Sequence, residues 1–373
     1  MPETKPRLLF LTAYVPNKAA AGEKNTMIML NDLAEEYDVD LVYFKYDRES
    51  PYVPERDNVN VLAVFPNSTK TKLFGIANYP FLHPVFSIRF SWAKLSRLRR
   101  LIKGKKYSAV ILNHSNVFVY GKYICPGVPK LLLAHDVIIQ RAVRQSGKLM
   151  QAVCRHSEGS AFRQRDAHIY SFSHKDVTLI RDTYHLPAEV NLDYIDPDIV
   201  NKSVTEVDDY FFMFGDWTRS ENLDGAKWFI DNVSPLVKEP VTVKIVGRGF
   251  PKELAENAPG NIRFEPLGFV DDPYQMLSQA RALISPLFQG AGIKVKVIES
   301  LACGTPVLGT PIAFEGLPDG FDDSMILCES PQDYVEAMKT VGTDIAARKD
   351  LKERFIKEYS RDNIREHLRN ILD

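Results

Sequence analysis

Ile284-Ser-Pro-Leu-Phe-Gln-Gly290-Ala-Gly292-Ile-Lys294-Val-Lys296-Val-Ile-Glu299-Ser-Leu-Ala302-Cys-Gly304-Thr-Pro306-Val-Leu-Gly-Thr-Pro311 is the stretch that decides the fold. A short apolar run, expected to be a buried strand, ends at Ser285-Pro286. Gly290 and Gly292 then let a loop backbone come close to a ligand. The helix that follows opens with amides that lack intrahelical acceptors, at the positive end of its dipole, which makes an anion site. Lys294 and Lys296 add full charge at that end, and Glu299, between one and two turns on, is placed to accept two hydroxyl hydrogen bonds from a sugar ring. Gly304 closes the helix and Thr305-Pro306 starts the next strand. For the glycines alone, a plain strand–loop–helix with two solvated lysines remains an equal alternative.

Outward from this unit, the chain alternates β-rich apolar runs with helical patterns, the signature of parallel sheets. Strands are expected at Arg7–Val15, Val39–Tyr46, Val59–Phe65, Ala109–Asn113, Lys130–Ala134 and His168–Phe172, with a helix over Glu23–Tyr37. A second series runs from Tyr210–Phe214 through Val241–Val246, Ile262–Phe264 and Ala282–Ser285 to Pro306–Leu308. The reading is therefore α/β, with a Rossmann-like domain over 1–190, a linker over 191–209 and a second Rossmann-like domain over 210–345. Residues 346–373 are expected to form closing helices that return to the first domain. Open parallel sheets bind ligands beyond the carboxyl ends of their strands, so two facing sheets are expected to place a site in an interdomain cleft.

Composition agrees with two packed domains. The 373 residues are 45% apolar and 25% charged, which excludes a disordered or collagen-like chain. Four cysteines without metal-ligand spacing fit a reducing compartment, and no apolar run resembles a signal peptide or a membrane span, so a cytoplasmic protein is expected. The formal charge of −1 conceals an asymmetry. Residues 1–190 carry 27 basic and 17 acidic side chains, a net +10, and the remainder carry 20 and 31, a net −11. The first half is thus suited to an anionic partner.

The quoted stretch resembles the donor-binding signature of the retaining GT-B glycosyltransferases of group 1 (family 4), in the branch reading G-A-G-x-K-x-K-V-x-E-x-x-A-C-G-x-P-V. Tyr210–Gly215, Asn222-Leu-Asp-Gly225-Ala-Lys-Trp228-Phe229, Val243–Gly249 and Gly268-Phe269-Val270-Asp271 are similar to that branch in the same order. The resemblance implies a GT-B fold and transfer of a sugar, with retention, from a nucleotide-diphosphate-sugar donor to a glycan or lipid-linked acceptor in cell-envelope polysaccharide synthesis. No cofactor or metal is implied. It also implies roles: Glu299 on the ribose hydroxyls, and the Gly292, Ile293, Lys294 and Val295 backbone on the diphosphate with Lys294 or Lys296. Gly268, Phe269 and Val270 would meet the base, with Arg248 nearby and Gly22 in the first-domain loop. His135 would lie beside the sugar as the catalytic residue. Three positions depart from the pattern. Ala291 stands where the family has a sugar-contacting glutamate, Arg219 alone represents an Arg…Lys pair and would meet the diphosphate or else be a solvated loop cation, and Asp196-Pro197-Asp198 replaces a Pro-Asn-Gly turn.

Other candidates read as structural. Asp196-Pro197-Asp198 and Asp38-Val39-Asp40 resemble a metal-binding Asp-x-Asp, but fit capping or turn carboxylates better. His114 is expected to be a satisfied structural histidine and His174 to cap a helix. The basic run Arg89–Lys106 mixes cations with large apolar residues at helical spacing. It suits docking on an anionic membrane surface, peripheral at the inner face of the cell membrane, or else a solvated helix on the core. No nucleic-acid motif accompanies it. Two other functions fit the architecture, a nucleotide-sugar 2-epimerase and a non-catalytic nucleotide-sugar-binding protein.

Overall fold

The computed structural model describes residues 5–18, 21–70, 73, 77, 82–192, 195–290, 292–360 and 363–372. The chain divides into two compact units, Met1–Tyr194 with Asp362–Asp373, and Ile195–Arg361.

The first unit is a seven-stranded parallel sheet in the order β3-β2-β1-β4-β5-β6-β7. Its strands are β1 Arg7–Thr12, β2 Asp38–Lys45, β3 Val59–Pro66, β4 Ala109–Asn113, β5 Lys130–Ala134, β6 Ala167–Ser171 and β7 Glu189–Val190. Leu8 to Leu11, Ala109 to Leu112 and Leu131 to Ala134 are wholly buried, as expected of strands covered on both faces. Phe10 pairs with Leu41 on one side and Ile111 on the other, so β1 is central and the chain order reverses between β1 and β4. The helices Ala21–Leu33, Trp92–Ile102, Lys148–Phe162 and His174–Tyr184 belong to this unit.

The second unit is a six-stranded parallel sheet in the order β10-β9-β8-β11-β12-β13. These are Phe211–Phe214 (β8), Val241–Val246 (β9), Ile262–Gly268 (β10), Leu283–Ser285 (β11), Val307–Gly309 (β12) and Met325–Leu327 (β13). A separate core of Phe211, Phe229, Ile245, Ile284, Leu308 and Tyr334 holds it together. The order reverses here between β8 and β11.

Two boundaries differ from the sequence reading. Residues 195–209, read as linker, lie in the second unit. The Asp196 carboxylate accepts the Asp198 amide at 2.8 Å and caps the short helix Pro197–Val200, whose Ile199 carbonyl accepts Lys352 Nζ at 2.7 Å. The closing segment 346–373 is shared between units. Helix Ile345–Tyr359 belongs to the second, and Ile364–Leu372 to the first. In the first unit His367 Nε2 donates to Val190 O at 2.9 Å, and Arg365 pairs with Asp32 at 3.3 Å and Glu35 at 2.7 Å.

Candidate active site

In the second unit, the helix Val295–Ala302 follows β11 and leads to β12. Its end is a Schellman turn: Gly304 N donates to Leu301 O, and Thr305 N to Ser300 O at 2.8 Å. Gly304 has φ +77°, and a Cβ there would lie 2.4 Å from the Arg348 carbonyl, so only glycine fits. At the other end Lys294 is the N-cap without a side-chain cap bond, and its Nζ donates back to Gly292 O at 2.6 Å.

Lys296 points to the sheet's reversal point. Its Nζ donates to Asn222 Oδ1 at 2.7 Å and lies 6.0 Å from the Trp217 ring. Asn222 Nδ2 donates to Asp216 O at 2.8 Å, which fixes the amide with its oxygen toward the lysine. Burial, reinforced by the positive charge of Arg219, pushes the Lys296 ammonium down to about 8. Glu299 is half-buried, and the buried Tyr274 donates its Oη to Glu299 Oε1 at 2.7 Å. Burial and the Glu299 charge push the Tyr274 phenol up, so it stays a donor.

The remaining residues singled out in this half stand around these groups. Ile293 and Val295 flank Lys294 in the helix mouth and are half-buried. Arg219 pairs with Glu221, and Arg248 pairs with Asp216 at 2.7 Å. Gly268 ends β10 at φ +72°, followed by Phe269, 72% exposed, and the half-buried Val270. Gly247 allows a close approach, since a Cβ would meet the Gly215 carbonyl at 1.7 Å. Ala291 lies outside the described residues.

In the first unit, His135 follows β5 and His114 follows β4, beside the reversal point. Their rings stack at 3.9 Å and 1° between planes, and Phe172 packs on His135 at 4.3 Å. His114 was read as a structural histidine, yet it holds φ +76°, a backbone conformation rare for any residue with a side chain. His135 Nε2 donates to Asn113 Oδ1 at 2.7 Å. Asn113 Nδ2 donates to Thr26 Oγ1 at 2.9 Å, and Thr26 Oγ1 donates to Gly22 O at 2.7 Å. Burial lowers His135 to about 3 and holds His114 well below its ordinary value, so both are neutral. The helix Ile138–Gln145 starts just after His135, and the buried Glu158 accepts the Ile138 and Ile139 amides at 2.7 and 3.0 Å. Tyr184 Oη donates to the same carboxylate at 2.6 Å.

Three further sequence expectations are revised by partners. Ser173, not His174, caps its helix, accepting the Asp176 amide at 3.1 Å. Asp40 is not a turn carboxylate but lies within β2 and accepts from Lys105, Tyr107 and Asn60 at 2.7, 2.7 and 2.8 Å. In the basic run, Arg89 is buried with its Nε donating to Ala13 O at 2.9 Å, and Lys105 pairs with Asp40, so neither belongs to an outward face. Sequence reading missed Asn113, Asn222 and Tyr274. Each is an unremarkable residue in sequence, and only pairing across the fold reveals it.

No curated protein sequence matches the chain. Among solved structures it is similar to HepE from Anabaena, in complex with UDP and glucose, with a TM-score of 0.65, 15% identity and 98% of each chain covered. It is also similar to sucrose-phosphate synthase from Thermosynechococcus elongatus, with a TM-score of 0.66, 12% identity and 98% of this chain and 97% of that one covered. A third is WaaG, a glycosyltransferase involved in lipopolysaccharide biosynthesis, with a TM-score of 0.63, 14% identity and 98% of each covered. Residues 208–344 match the family described as Glycosyl transferases group 1, and the chain as a whole has the GT-B fold of two Rossmann-like units, each built on a parallel sheet.

Proposed function

We propose that the protein is a retaining glycosyltransferase that moves a sugar from a nucleotide-diphosphate donor to a glycan or lipid-linked acceptor. The observation that carries this reading is the helix mouth at Val295, where Lys296 is aimed by Asn222 and Glu299 by Tyr274 within the segment matching the family. In this reading Glu299 accepts the ribose hydroxyls, while the amides of Gly292 to Val295, with Lys294 and Lys296, hold the diphosphate. The exposed Phe269, with Gly268 and Val270, meets the base, with Arg248 near it. In the first unit His135 serves the sugar and Gly22 opens the loop helix.

The chemistry follows from charge. Transfer requires a diphosphate to leave as positive charge grows on the sugar ring. Fixed amides and ammonium groups stabilise the departing anion without reorganising. A neutral His135 forms no covalent bond in this scheme and acts through hydrogen bonding to the sugar. One solved neighbour with this fold is a complex with UDP and glucose and another is involved in lipopolysaccharide biosynthesis, which supports a uridine donor and an envelope acceptor here.

A thermal-shift screen against UDP, GDP, ADP, CMP and dTDP identifies the base, since a ligand that binds the native state raises its melting temperature. Donor turnover is then followed with acceptor present. His135→Ala is expected to lower turnover while the melting shift remains. Formation of an epimer without acceptor, or binding with no turnover on any acceptor, would replace the proposal with one of the two alternative functions.

A further inference from the structure

The hydrogen bonds around His135 form a directed chain that fixes protons as well as positions. Thr26 Oγ1 uses its hydrogen on the Gly22 carbonyl one helical turn back, so its lone pairs face Asn113. A hydroxyl in that state receives the amide nitrogen of Asn113, and at 3.3 Å the same nitrogen also reaches Thr12 Oγ1. Both threonines thus select the orientation of the Asn113 amide, with Oδ1 turned to His135. An amide oxygen only accepts, so the ring nitrogen facing it, Nε2, must carry the proton. Asn113 is wholly buried, which excludes water as a competing partner.

We infer that Asn113 is a positioning residue that locks His135 in its Nε2–H tautomer, so that His135 meets its ligand as a hydrogen-bond acceptor through Nδ1. This inference rests on the proposed function for the ligand's class, a sugar hydroxyl of the donor. A neutral Nδ1 lone pair accepts from a hydroxyl and repels a phosphate oxygen, so this histidine discriminates the sugar from the diphosphate. Among the described residues, Nδ1 has no hydrogen-bond partner. The groups around the ring agree with a neutral imidazole. His114 lies flat against one face, Phe172 packs on the ring, and the cation of Arg89 acts on His114. The relay also explains why the loop helix matters to the histidine. Its Thr26 and Gly22 carry the last two links of the chain that ends on His135.

The test reads the ring directly. Long-range nitrogen–proton NMR of the histidine-labelled full chain should show His135 with a protonated Nε2 and a bare Nδ1 at neutral pH, with no ligand added. Thr26→Val, which removes the nearer of the two acceptors that orient Asn113, and Asn113→Ala should each give a mixture of tautomers. Turnover in the two variants should fall about ten- to hundredfold, by analogy with partners that orient a metal-bound histidine, with donor KM little changed. Asn113→Asp keeps the acceptor and restores the tautomer, but its negative charge favours the imidazolium. Its rate should therefore acquire an acidic limb near the ordinary histidine range, with activity recovered above it. A protonated Nδ1 in the wild type, or an unchanged tautomer in both Thr26→Val and Asn113→Ala, overturns the inference. Because the NMR result needs no donor, it stands or falls separately from the transferase reading. Should Asn113→Ala fail to fold, the double variant Thr12→Val with Thr26→Val, which removes both acceptors, decides in its place.

Discussion

Lys296 is the residue whose behaviour distinguishes an anion site from a solvated lysine. Its ammonium is held by one neutral oxygen, that of Asn222, and burial lowers it to about 8. The unfolded chain keeps that proton to the ordinary lysine range, so stability of the free protein rises with pH between about 8 and that range. A bound diphosphate acts in the opposite sense, because its charge restores the ammonium. Nucleoside diphosphate binding at pH 8–9 is therefore expected to take up a proton, and affinity to weaken as pH rises above about 8. Calorimetry in two buffers of different ionisation enthalpy checks this. Unequal apparent enthalpies are expected for the wild type and equal ones for Lys296→Met. Equal enthalpies in the wild type would detach Lys296 from the ligand. At this scale the sequence was half legible. Lys294, Lys296 and Glu299 stand out because one short helix after a glycine loop collects them. Their partners did not, because Asn222 lies 74 residues from Lys296 and Tyr274 lies 25 from Glu299. No local pattern marks an asparagine or tyrosine that works only through a distant contact.

Among the elements, the strands were the most legible, since a buried parallel strand reads as an unbroken apolar run. The two-residue β7 and the three-residue β13 were missed: both are edge strands with only partly buried side chains, unlike the comparably short but wholly buried β11 and β12. The basic helix shows a subtler limit. Its register predicts one face of cations, yet the helix Trp92–Ile102 distributes them by packing. Leu95 and Leu98 turn inward, and Lys94 lies 5.0 Å from the Phe44 ring, lowered to about 8 by burial. Arg97, Arg100, Lys103 and Lys106 remain exposed. Beside them Trp92, 50% exposed, helps line a groove of about 310 Å³ with Leu95, Ser96, Arg99, Arg100 and Lys103. The proposed docking of this face on an anionic membrane gives a clear expectation. Vesicles with phosphatidylserine should bind the protein and neutral ones should not, and binding should weaken with salt. At about 1 kcal/mol per cation, replacing these four by glutamate should reduce vesicle partitioning by a factor on the order of a thousand or more. Unchanged cosedimentation would leave the helix as solvated surface.

For the whole molecule, the division into two units coincides with the division of charge. The basic half coincides with the first unit and the acidic half with most of the second. Glu299 and Lys296 belong to the second unit, and His135 to the first. The domain boundaries were less legible than the domains, because Asp196 and Asp344 start helices by accepting amides of Asp198 and Ala346, which an aspartate-rich stretch does not distinguish from a linker. The central claim is that the mouth of the Val295–Ala302 helix holds a nucleoside diphosphate through Glu299. Titration calorimetry of the full chain with the nucleoside diphosphate selected in the thermal-shift screen, for the wild type and Glu299→Ala, tests it most directly. The loss of two hydroxyl hydrogen bonds to a carboxylate, about 1.5–3 kcal/mol each, predicts saturable binding in the wild type and at least about a hundredfold loss in the variant. Binding of equal strength in both proteins, or none by any nucleoside diphosphate to the wild type, would contradict it.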